Sequence, residues 1–156
     1  MATLTNTILL IEDDLDTRDM LARVLSGEGY AVKVAANGWE GLLAAENPPP
    51  DLILLDIMLP GMDGVSFMRS LRNTAALKNV PVIVVTALDV ADVELKMRNY
   101  NVAQIISKND SLFPKLKAAL KRTLEQPRPT NRVELPPQGE LLRPYLELYF
   151  KMPAWH

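Results

Sequence analysis

A doubly wound α/β fold, with five parallel strands and helices on both faces, is what this sequence predicts, and three observations predict it. Five short apolar runs alternate with five stretches of helical periodicity between residues 7 and 125. The runs TILLI, LILL and PVIVV are almost purely aliphatic, as expected of parallel strands buried on both faces. A chain of 156 residues also fits one domain on the usual scale of ~100–200 residues, long enough to bury a full core without a disulfide or metal staple.

The elements follow in order. The first strand is Thr7–Ile11; in the helix after it Leu21, Val24 and Leu25 share a face, and Gly27 and Gly29 offer a stop. Ala31–Ala35 is the second strand, and the second helix, Trp39–Glu46, is cut by Pro48-Pro49-Pro50. Leu52–Leu55 and Pro81–Val85 are the third and fourth strands, followed by helices over Val65–Leu71 and Val90–Tyr100. The fifth strand is Ala103–Ile106, and the fifth helix runs from Ser111 to about Glu125. Ser111 is expected to cap that helix, which puts Pro114 at the third helical position, where no intrahelical N–H partner is lost.

Around Gln126 the composition shifts, so residues 1–126 are read as the folded domain and 127–156 as a C-terminal extension. The extension holds six of the twelve prolines and no strand-like run, and RPTNRVELPP reads as an extended linker. It then turns apolar, with four of the nine aromatic residues in the last twelve positions. Leu141, Tyr145 and Tyr149 repeat every four residues, as do Leu142, Leu146 and Phe150, which predicts a helix from about Leu142 to Met152. Such a tail packs on its own domain or on a second subunit. A homodimer through the tail, or through the face of the fourth and fifth helices, is one expectation.

Composition excludes several classes of function. Seventeen basic and nineteen acidic side chains leave a net charge of −2, without the basic excess of a nucleic-acid-coating surface. The extension carries four basic and three acidic residues and is too short for a DNA-binding domain with its own core, so no direct nucleic-acid contact is expected. No cysteine is present, which removes thiol catalysis and thiolate metal sites. The one histidine is His156, so no internal imidazole is available as base or ligand. The N-terminal segment lacks the basic region and cleavage site of a signal peptide, and no apolar run approaches the ~18 residues of a membrane span. A cytoplasmic, stand-alone protein that contacts no membrane is the expectation.

In an open parallel sheet, ligands bind outside the carboxyl ends of the strands. Glu12, Asp13 and Asp14 follow the first strand, Asp56 the third, Thr86 the fourth and Lys108 the fifth. A strand order of 2-1-3-4-5 makes the first and third strands neighbours, so their carboxylates meet. Crowded anions repel unless a cation joins them, and a hard divalent ion with oxygen ligands, Mg²⁺ above all, suits the set. A lone Asp at a strand end is ordinarily a turn or cap residue, and Asp14 and Asp16 are read that way. The combination at the strand ends is what points to a site.

The stretches ILLIEDD, LILLDIMLPGMDG, VIVVTA and IISK resemble the receiver domain of two-component response regulators across residues 7–125. The resemblance implies a flavodoxin-like, stand-alone receiver akin to chemotaxis regulators, switching protein–protein interactions rather than turning over a substrate. It implies Asp56 as phosphoacceptor, with Glu12, Asp13, Asp56 and the Met58 backbone carbonyl holding Mg²⁺. Thr86 and Lys108 then contact the phosphoryl group, and a histidine kinase or histidine phosphotransfer protein supplies it. Two positions depart from the family pattern. Asn109 follows Lys108 where receivers carry proline, and a cis bond before a non-proline residue costs ~2.5–4 kcal/mol, so a trans bond is expected there. Ile105 stands where a switching aromatic is usual. These departures keep open a phosphate-independent pseudo-receiver acting as an interaction module. An aspartate-nucleophile phosphatase, suggested faintly by Asp14-Leu15-Asp16-Thr17, fails on the spacing of its acidic motif.

Overall fold

The computed structural model describes residues 5–46 and 48–126. Five strands, β1 (Thr7–Ile11), β2 (Ala31–Ala35), β3 (Leu52–Asp56), β4 (Val82–Thr86) and β5 (Gln104–Ser107), form one parallel sheet in the order β2-β1-β3-β4-β5. They alternate with α1 (Leu15–Gly27), α2 (Gly38–Glu46), α3 (Gly64–Arg72), α4 (Val90–Met97) and α5 (Leu112–Glu125). Fold class and strand order are as the sequence predicts. The extension, with its expected linker and helix, lies outside the described residues.

Strand alternation divides the core in two. Ile8 and Leu10, with Leu52, Leu54, Ile83 and Val85, pack against Leu21 and Leu25 of α1 and Leu116 and Leu120 of α5. Leu9, Ile11, Ile53 and Leu55 face the opposite side, against Ala45 of α2, Phe67 and Leu71 of α3 and Val93 of α4. Every residue of β3 and β4 is buried, whereas β2, at the edge, is half open. That explains why LILL and PVIVV read as unbroken apolar runs and AVKVA does not. On the second face, Gly64 allows a close approach: a Cβ there would stand 2.9 Å from the Ile57 Cα.

Helix starts are local chemistry. Asp14 Oδ2 accepts from the Thr17 N–H at 2.9 Å, Asp63 Oδ1 from the Ser66 N–H at 2.7 Å and Asp89 Oδ1 from the Ala91 N–H at 2.9 Å. At α2, Asn37 Oδ1 takes the Glu40 N–H and Glu40 Oε2 takes the Ala36 N–H, a reciprocal cap. The fifth helix starts differently from the expectation. Ser111 precedes α5 but has φ −93° and ψ 7° and makes no side-chain cap bond. Its backbone is near helical rather than in the extended conformation from which a cap side chain reaches the first-turn amides. Asn109 serves instead, its Oδ1 accepting from the Ser111 N–H and its carbonyl from the Leu112 N–H. Pro114 is the third residue of the helix, as predicted. The fourth helix also ends early, at Met97 rather than Tyr100. Arg72 takes the Tyr100 and Asn101 carbonyls, and Asn101 turns to φ 55°.

The caps make a pH-dependent prediction. The backbone N–H of Ser66 holds the Asp63 carboxyl below its usual pKa. Its contribution to stability is therefore present above the unfolded carboxylate's pKa and is lost as pH falls through the folded one. Asp63→Ala is expected to cost ~1 kcal/mol at neutral pH and little in acid. Urea unfolding at both pH values checks this; a loss of equal size in acid contradicts it.

Candidate functional site

The site is built from the last residues of two strands and the first residues after two others. Asp56 ends β3 opposite Val85, and Thr86 ends β4 opposite Ser107. Glu12 follows β1, and its N–H donates to the Ala35 carbonyl at 3.0 Å, so the ladder with β2 continues one residue past the strand. Lys108 follows β5, its N–H donating to the Thr86 carbonyl at 2.7 Å.

Among the described residues, the buried polar or charged side chains are Glu12, Asp56 and Thr86, 2%, 6% and 0% exposed. All three are predicted site residues. Asp13 stands exposed at the rim, and oxygens of Glu12, Asp13 and Asp56 lie within 4.8 Å of one another. Lys108 Nζ bridges the buried pair, 2.9 Å from Glu12 Oε2 and 3.0 Å from Asp56 Oδ2. The second oxygen of Asp56 accepts from the Met58 N–H at 3.1 Å, which sets the Met58 backbone against the carboxylate. Thr86 Oγ1 accepts from the Leu88 N–H at 2.9 Å. Ile105 is partly buried on the α2–α4 side of the core.

Burial pushes the Glu12 carboxyl above its usual pKa, and the Lys108 bond only partly offsets that. Burial also pulls the Lys108 ammonium down, but its bonds to Glu12 and Asp56 prevail and leave its pKa raised. Glu12 and Asp56 share one ammonium, and the exposed Asp13 adds a third carboxylate beside them. An all-oxygen donor set with room for water suits Mg²⁺ rather than a softer metal.

One residue that sequence reasoning missed is Arg18, whose Nη1 donates to the Glu12 carbonyl at 3.0 Å. It fastens the acidic turn to α1. Its position one turn into a helix that begins at the acidic cluster was the available signal.

The response regulator receiver domain matches residues 8–121 of this chain. The chain belongs to that family. Among curated relatives, this receiver is 37% identical over 130 residues to the DNA-binding response regulator MtrA of Mycobacterium tuberculosis, covering 81% of this chain and 56% of MtrA. Response regulator MprA of a Mycobacterium species is 34% identical over 119 residues, 74% of this chain and 51% of that protein. The receiver thus spans about half the length of the curated relatives it matches. Among solved structures it is similar to the signal receiver domain of a histidine kinase from Syntrophus aciditrophicus, with 30% identity and a TM-score of 0.69, over 77% of this chain and 90% of that one. It is also similar to the receiver domain of a Pseudomonas aeruginosa sensor histidine kinase, with 27% identity and a TM-score of 0.72, over 79% of this chain and all of that one. That structure has a magnesium ion coordinated in its active-site cleft. The family is a signalling module of two-component systems. Among the described residues no helix is long and apolar enough to cross a membrane.

Proposed function

We propose that this receiver accepts a phosphoryl group on Asp56, from a histidine kinase or histidine phosphotransfer protein, and so switches its contacts with other proteins. The observation that carries this reading is the convergence of the buried Glu12, Asp56 and Thr86 with Lys108 at one rim of the sheet. A carboxylate oxygen of Asp56 attacks phosphorus, the donor's P–N bond breaks, and the imidazole leaves with the bonding pair. Glu12, Asp13, Asp56 and the Met58 carbonyl would hold Mg²⁺, which supplies neutralisation of charge on the phosphoryl oxygens. Lys108 Nζ, already on Asp56, pairs with the anionic acyl phosphate that forms, and the Thr86 hydroxyl is the neutral donor facing it. On this reading the receiver domain turns over no separate substrate, and its chemistry is gain and loss of this phosphate.

Exposure to acetyl phosphate with Mg²⁺, read by intact mass, tests the proposal. One added phosphoryl group in Mg²⁺ and none in a chelator supports it. An unlabelled protein under both conditions selects the phosphate-independent module. Sizing labelled and unlabelled protein then shows whether phosphate changes assembly.

The metal makes its own prediction. By mass action a ligand of the native state stabilises by RT ln(1 + [L]/Kd), ~1–2 kcal/mol at about ten times Kd. Mg²⁺ is expected to raise the melting temperature accordingly, and Asp13→Asn to remove most of the gain. A melting temperature indifferent to Mg²⁺ would refute the metal site.

A further inference from the structure

Helix α5 delivers the chain to the β2 edge of the sheet. Lys117 Nζ lies 2.9 Å from Glu28 Oε1 in the turn before β2, and Leu124 packs on the same cluster as Tyr30. Burial, then the charges of Glu28 and Glu125, push the Tyr30 phenol up, so the last residue of α5 stands near the start of β2. The segment that leaves there is strongly apolar, with Leu142, Leu146 and Phe150 on one repeat of four and Tyr145 and Tyr149 on another.

The domain leaves matching surface uncovered beyond that edge. Leu43 is 72% exposed, the most of any large hydrophobic residue among those described, and Trp39, one turn before it on α2, is 62% exposed. Val34 on β2 is 52% exposed. The face of α4 and α5 offers less: Leu95 is its principal exposed hydrophobic residue, and the large apolar side chains of α5 are buried or partly buried. Trp39 also lies beside the β3–α3 loop, since a Cβ on Gly61 would stand 3.8 Å from its Nε1.

Pro127–Pro137 spans at most ~3.3–3.6 Å per residue, which reaches across a domain of this size. A tether of that length presents its end at an effective concentration of order mM, above that of a second copy in dilute solution. We propose that residues 138–156 dock on the outer face of α2 of their own chain, covering Trp39 and Leu43. The proposal does not depend on phosphorylation.

Trp39 reports on it directly. The sequence has two tryptophans, so Trp155→Phe in the 156-residue chain leaves Trp39 as the one tryptophan, read by excitation at the red edge where tyrosine does not absorb. Acrylamide quenching of Trp39 is expected to rise severalfold when Leu146→Glu and Phe150→Glu are added. Leu43→Glu, on an exposed position that the fold does not need, should raise it similarly, but not in a chain already carrying the tail substitutions. Leu95→Glu should leave it unchanged. Trp39 equally quenched with and without the tail substitutions overturns the proposal. So does release by Leu95→Glu alone, or protection that appears only as light scattering shows the mass doubling.

Discussion

Asp56→Asn is expected to remain folded and to take up no phosphate from acetyl phosphate at any Mg²⁺ concentration. The amide keeps the shape of the carboxylate, and its oxygen can still accept the Met58 N–H that Asp56 Oδ1 accepts at 3.1 Å. Lys108 keeps its second partner, Glu12 Oε2, at 2.9 Å, so the ammonium is not left buried alone. What goes is the nucleophile, because an amide oxygen cannot form the acyl phosphate. Glu12 and Asp13 remain as carboxylates within reach, which makes the variant a strict test. If either were the acceptor, labelling would persist. Intact-mass measurement over the time course that labels the unaltered protein decides it. Incorporation at the unaltered rate would move the phosphoacceptor away from Asp56. Mg²⁺ protection against heat should fall in the same variant, because one of the three carboxylates is lost.

The strand runs and the acidic residues after them were legible because their causes are local. A strand covered on both faces must be apolar throughout, as Leu52–Leu55 is, and a charged residue at its end is then conspicuous. Asp56 and Thr86 turned out to be the last residues of their strands rather than the first of the loops. The ladder fixes their backbones, which apolar patterning alone does not show. The misread positions have tertiary causes. Ser111 has the composition of a cap, but the turn set by Asn109 leaves its backbone near helical values. Periodicity carries the fourth helix to Tyr100, and the early stop at Met97 depends on a side chain from α3. Arg18 and Arg72 were missed because each donates to backbone carbonyls, which side-chain patterning does not show: Arg18 to Glu12 six residues back, Arg72 to Tyr100 and Asn101 far along the chain.

Arg72 carries the largest expected effect on stability. At the last position of α3 its guanidinium donates to four carbonyls: Nε to Tyr100 at 2.9 Å, Nη1 to Lys78 at 2.9 Å and Val80 at 2.8 Å, and Nη2 to Asn101 at 3.2 Å. One side chain therefore joins the end of α3, the approach to β4 and the approach to β5. Burial pulls its pKa down, but an arginine stays charged throughout the accessible range. Arg72→Met fills similar volume and donates nothing, leaving the half-buried Val80 and Tyr100 carbonyls without this partner. Charged hydrogen bonds of this kind contribute ~1.5–3 kcal/mol each, and water recovers part of that at the exposed Lys78 and Asn101 carbonyls, so ~3–4 kcal/mol is expected overall. Against a total of ~5–15 kcal/mol for a native domain, that is a large fraction. Arg72→Lys should recover little of it, because an ammonium offers no planar fork to span two connections. The urea midpoints of the three proteins measure the effect. A loss under ~1 kcal/mol for Arg72→Met would mean that water replaces the guanidinium at all four carbonyls and that the two connections hold their shape without it.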